Sequence, residues 1–127
     1  MFVIGERQME AMGKAMMERF VTITLDFIKM NFPEWSRNQT DDVLTVFVRT
    51  MITFSQEHGI RQEIGIQKLI AYKILFHYDI PLSPQLASIL TKADMTEESK
   101  LEYFLRQFED LSPLIKLTLE DVLDKWP

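Results

Sequence analysis

The chain is 127 residues long, with 14 Lys+Arg against 19 Asp+Glu and no cysteine. That length predicts one domain, and 46% hydrophobic with 26% charged residues is a globular composition that excludes wholesale disorder. The net charge is uneven: residues 1–93 carry 10 basic and 10 acidic side chains, while residues 94–127 carry 4 and 9, hence the whole −5. That balance argues against a nucleic-acid partner, which needs a basic patch. The lack of cysteine rules out a disulfide framework, a thiolate zinc site and a cysteine nucleophile.

In chain order, Met1–Ile4 is a short apolar, β-prone stretch. It either tucks against its own core or pairs with a partner's strand edge. It lacks a basic region before a long apolar one, so it does not read as a signal peptide. No apolar run reaches the 18 residues that a membrane span requires. The expectation is a soluble cytoplasmic protein, in which the sequon Asn38-Gln39-Thr40 is a chance match.

Apolar spacing of three and four dominates and predicts helices throughout. The first runs over 6–31. Met9, Met12, Met16, Phe20, Ile23, Phe27 and Met30 form one stripe, and Met17, Val21, Leu25 and Ile28 a second beside it. A helix apolar over that much surface packs on more than one neighbour, and Phe32-Pro33 ends it. Thr40 then caps a helix to about His58, with Asp41 and Asp42 in its first turn and Val43, Leu44, Phe47, Val48, Met51 and Ile52 presented inward. Gly59 suits the left-handed residue past its end.

A third helix spans about 61–78 through Ile66, Leu69, Ile70, Ile74 and Phe76, with Gly65 weakening it by about 1 kcal/mol relative to Ala. Ser83-Pro84 starts a short helix to about Lys92. Thr96 caps another, with Glu97 and Glu98 in its first turn and Leu101, Phe104, Leu105 and Phe108 inward. Ser112-Pro113 starts a last one through Leu123. The expectation is an all-α fold: one compact domain over 1–127, built as an orthogonal or irregular bundle of about six helices, with 1–5 as an apolar N-terminal tail.

The chemistry-bearing residues are sparse. His58 and His77 are 19 apart, not the three or four that place two metal ligands on one helix face. His58 reads as a helix-end cation and His77 as a surface residue, although Tyr78-Asp79 beside His77 offers groups that orient an imidazole. The nucleophile elbow, P-loop and dinucleotide fingerprint are all absent. The adjacent carboxylates Asp41/Asp42, Glu97/Glu98 and Glu109/Asp110 suit helix starts and solvated faces better than acid–base catalysis, because neighbours in sequence do not face each other on a helix. No catalytic, cofactor or metal-binding residue is assigned.

Five of the eight methionines lie in the first helix. Met12, Met16 and Met30 read as core, whereas Met9 and Met17 are candidates for a partner surface, because methionine adapts to varied partners. With Phe2 of the tail and the acidic Glu97, Glu98, Glu102, Glu109 and Asp110, they make the candidate interaction residues. Electrostatic complementarity of that acidic set to a basic protein would speed association.

Met1-Phe2-Val3-Ile4, Gln8-Met9, Phe20, Phe32-Pro33, His58-Gly59-Ile60 with Glu63, and Ile89-Leu90 together resemble a group of small helical proteins. That group is encoded beside bacterial type VI secretion spike proteins, of the VgrG and PAAR kinds, and their toxic effectors. The likeness covers residues 1 to about 105. His58 stands where the group usually has an aromatic residue, and Ser83-Pro84-Gln85-Leu86 replaces its Pro-Trp. The resemblance implies loading, folding or neutralising an effector, and names no catalytic residue.

Three functions follow as expectations. The leading one is a non-enzymatic adaptor or chaperone for an effector or spike component. The alternative is an immunity protein blocking a basic toxin, and the third is an enzyme whose site the sequence does not reveal. The partner is expected to be a protein, with a second copy of the chain as a further option and neither nucleic acid nor membrane involved.

Overall fold

The computed structural model describes residues 13–108. Within them the chain forms six helices: α1 (Lys14–Asn31), α2 (Pro33–Ser36), α3 (Asp41–Glu57), α4 (Glu63–Phe76), α5 (Pro84–Leu90) and α6 (Glu97–Arg106). The fold is all-α. The tail, Phe2, Met9, Met12, Glu109, Asp110 and the helix expected from Ser112 lie outside the described residues. No helix among the described residues is long and apolar enough to cross a membrane.

The helix boundaries follow local chemistry. Thr40, Ser83 and Thr96 each accept a hydrogen bond from the backbone N–H three residues on, so they satisfy donors that the helix itself leaves open. Pro84 occupies the first turn of α5, where a missing N–H costs nothing. Gly59 has φ +79°, the left-handed conformation expected after α3. α1 starts at Lys14, because Gly13, a poor helix former, is extended, so the helix does not run unbroken over 6–31 as expected; it ends at Asn31, before Phe32-Pro33. Pro33 then begins the four-residue α2, an element that the apolar spacing is too short to reveal.

α4 is the centre of the molecule. α3 and α6 pack on it, α1 packs on α3 and α2, and α5 packs on α6. α4 is buried almost all round, from Gly65 and Ile66 through Leu69, Ile70, Ala71 and Tyr72 to Ile74, so it shows no polar face. It ends at Phe76, two residues before the expected limit, because His77 turns left-handed at φ 55°. Aromatic rings close this end of the core: Tyr78 meets the Phe104 ring edge to face at 5.3 Å, and Phe76 stacks on Phe108 at 4.8 Å.

Two expectations about facing are corrected. Met30, placed in the core by its stripe, is 78% exposed. The buried face of α1 consists of Phe20, Val21, Thr24, Phe27 and Ile28, between the two stripes. At 100° per residue, Met30 stands about 120° round the helix from Thr24, the middle of that face. Met16 and Ile23, also on the first stripe, are half-buried for the same reason. On α3, Val43 was expected inward and is 51% exposed, because the buried side runs through Leu44, Val48, Met51, Ile52 and Ser55.

Candidate interaction surfaces

The outer face of α3 has an unusual composition for a solvated surface. Val43, Val46, Thr50 and Thr53 follow one another at steps of three, four and three, and all are exposed, Val46 by 64%. Helical geometry puts them in one line, with Val46 opposite the buried side. Below them, Val46, Thr50, Thr53 and Phe54 line a shallow groove of about 430 Å³ with Ile80, between Arg49 and Glu57. Arg49 is held by Glu18 of α1 through a 2.6 Å ion pair. The stripe therefore stands on a helix fixed from both sides by α1 and α4.

The acidic candidates of α6 divide into two kinds. Glu97 is half-buried, and its carboxylate accepts from the backbone N–H groups of Arg61 at 3.2 Å and Gln62 at 3.1 Å. It thus caps the start of α4 from a different helix, where the helix dipole favours an anion. Glu98 and Glu102 are exposed one turn apart and face solvent. Glu98, Gln62, Ile64 and Lys68 surround the cleft beside the Glu97 cap. Met17, the candidate on α1, is half-buried and packs against the core.

The histidines are not brought together into a common site. His58 Nδ1 lies 2.8 Å from the Phe54 carbonyl oxygen, with its ring 4.5 Å from that of Phe54, at the end of α3. His77 ends α4 and is exposed. Tyr78 does not orient it: the Tyr78 hydroxyl is buried and donates to the Leu69 carbonyl at 2.8 Å. Burial raises the pKa of both Tyr78 and Tyr72 well above the usual phenol value; the charge of Glu102 adds to the effect at Tyr72, and Tyr72 adds to it at Tyr78. Among the described residues, no group of three or more His, Asp or Glu is placed to hold a metal ion.

Sequence reasoning missed a second cleft, between α2 and the end of α4. Asn31, Phe32, Glu34 and Trp35 form one wall, and Ile74, Leu75 and His77 the other, around about 480 Å³. The Trp35 ring packs against Phe47 at 4.9 Å. Two pre-existing signals mark this place: the aromatic pair around Pro33 and a histidine where a helix ends. Neither has a spacing rule that joins them.

No protein-family model matches the chain, and comparison with curated proteins and with solved structures finds no match.

Proposed function

We propose that this protein is a non-enzymatic interaction module, an adaptor or chaperone that holds a type VI secretion effector or spike component. The exposed stripe Val43–Val46–Thr50–Thr53, extended by Ile80, carries this reading. Single exposed apolar residues need no explanation, but an aligned row on a rigid helix suits a partner's apolar surface. The resemblance of the sequence to proteins encoded beside spike and effector genes supplies the class of partner. Co-expression with the products of the flanking genes tests it. A stable complex with one of them, lost in V46D, supports the reading; no complex with any of them contradicts it.

A second reading, immunity to a basic toxin, is favoured by Glu98 and Glu102, which are exposed one turn apart on α6. Toxicity rescue separates the two. Binding without rescue indicates an adaptor; rescue, with toxin binding that weakens steeply with salt and in an E98K/E102K variant, indicates immunity.

A further inference from the structure

We infer that the cleft between α2 and the end of α4 receives a basic anchor side chain, an arginine, from a protein partner. The inference deepens the interaction reading and rests on it for the identity of the donor as a protein.

Two helices end at this cleft. α1 stops at Asn31 and α4 at Phe76, and residues from both last turns line it. Each helix C-terminus carries a partial negative charge from carbonyls with no helical partner, so two of them together favour a cation. Pro33 sharpens the effect, because it has no N–H to donate to the Lys29 carbonyl four residues back. The Asn31 amide group donates to the Phe27 carbonyl at 3.0 Å, which leaves its side-chain oxygen as an acceptor.

The two lysines in the last turns of these helices, Lys29 and Lys73, are engaged elsewhere. Lys29 pairs with Asp41 at 2.6 Å. Lys73 donates to the Tyr78 carbonyl and sits 5.3 Å from the centre of the Tyr78 ring. Glu34 adds an exposed carboxylate to the wall, and it takes part in neither the Lys29–Asp41 nor the Arg49–Glu18 ion pair. Trp35 adds the aromatic face that best attracts a cation. A guanidinium stacks on such a face and bonds a carboxylate with two parallel N–H groups, which an ammonium cannot do.

The alternatives fit less well. An apolar anchor would cover Glu34 and the last-turn carbonyls without supplying donors, which is costly. An anion would meet the Glu34 carboxylate and the carbonyl ends of α1 and α4. His77 is a further sign: it lines this cleft in a left-handed conformation that glycine would adopt without strain.

The test titrates the isotope-labelled full chain with N-acetyl-arginine amide and follows the Trp35 indole N–H cross-peak by NMR. N-acetyl-leucine amide and N-acetyl-glutamate amide serve as comparators. The expected result is a saturable Trp35 shift with the arginine probe, with a dissociation constant on the order of 10 mM for a single side chain. The leucine and glutamate probes should give none, and E34Q, a surface change that leaves the fold intact, should weaken the arginine titration about threefold. No saturable shift, an equal shift with the leucine probe, or an unaltered titration in E34Q would overturn the inference. The outcome is independent of the co-expression result: arginine binding with no partner complex sinks the functional reading alone, and a partner complex with no arginine binding sinks the cleft alone.

Discussion

The Glu97 carboxylate stands where Gly65 leaves room for it. A Cβ at Gly65 would lie 3.1 Å from Glu97 Oε1 and 2.9 Å from the fully buried Ile60 Cγ2. The glycine therefore lets α6 and the segment before α4 approach the first turn of α4 closely. G65A gains about 1 kcal/mol of helix propensity but overpacks this contact by about 1–3 kcal/mol. The expected outcome is a net loss of stability, read as a lower midpoint in urea with an unchanged slope. A more stable G65A would show that the contact yields easily.

Glu97 caps α4 across space, as Thr96 caps α6 along the chain. Removing the acceptor in E97A should cost about 1–2 kcal/mol. E97Q, which keeps one oxygen acceptor, should cost less than E97A. Equal losses in both variants would assign the effect to charge alone. Urea unfolding of the three proteins decides.

Tyr72 and Tyr78 make the fold sensitive to alkali. Burial raises both phenols in the folded state, whereas an unfolded tyrosine ionises at about 10. A raised pKa means that the native state holds its protons where the unfolded state releases them. The contribution is thus fully present below pH 10 and is lost as the pH rises beyond it, by up to about 1.4 kcal/mol per group for each pH unit. Tyrosinate absorbance from these two residues should appear together with the loss of helical circular dichroism. Y78F, which also loses the bond to the Leu69 carbonyl, should lower neutral-pH stability by about 1 kcal/mol and flatten the alkaline slope.

His77 holds a left-handed backbone at φ 55°. Glycine fits that position without a Cβ penalty, so H77G should leave stability equal or raise it by about 1 kcal/mol, although glycine has more freedom to lose on folding. The melting temperature checks this. A clear loss of stability would mean that the imidazole makes a contact that holds α4 to the α2 wall.

Much of the fold was legible because helix boundaries are local chemistry. Thr40, Ser83, Thr96 and Gly59 act at the positions that their residue types indicate. Facing was less legible. On α1 the two apolar stripes span more arc than one packing face needs, and the neighbours choose the middle, which leaves Met30 outside. The surfaces were least legible of all. Gly65 reads as a weak point until Glu97 is seen beside it, and Glu97 reads as a helix-start residue until its bonds to Arg61 and Gln62 are seen. Trp35 and His77 are 42 positions apart in sequence and share a cleft. No spacing pattern reports a meeting of that kind, because it depends on how whole helices cross.

The outer row of α3 is the centre of the functional reading, and Val46 is its midpoint. V46D places a charge on an exposed position, so it should leave the melting temperature almost unchanged, within about 0.5 kcal/mol of stability. In a partner interface the same charge would be buried without a counter-ion, and binding should weaken at least tenfold. The decisive measurement is the affinity of V46D and wild-type protein for the flanking-gene product that co-purifies with the chain. A tenfold or greater loss with an unaltered melting curve is the predicted result. Equal affinity in the two proteins would contradict the assignment of this face as the binding surface.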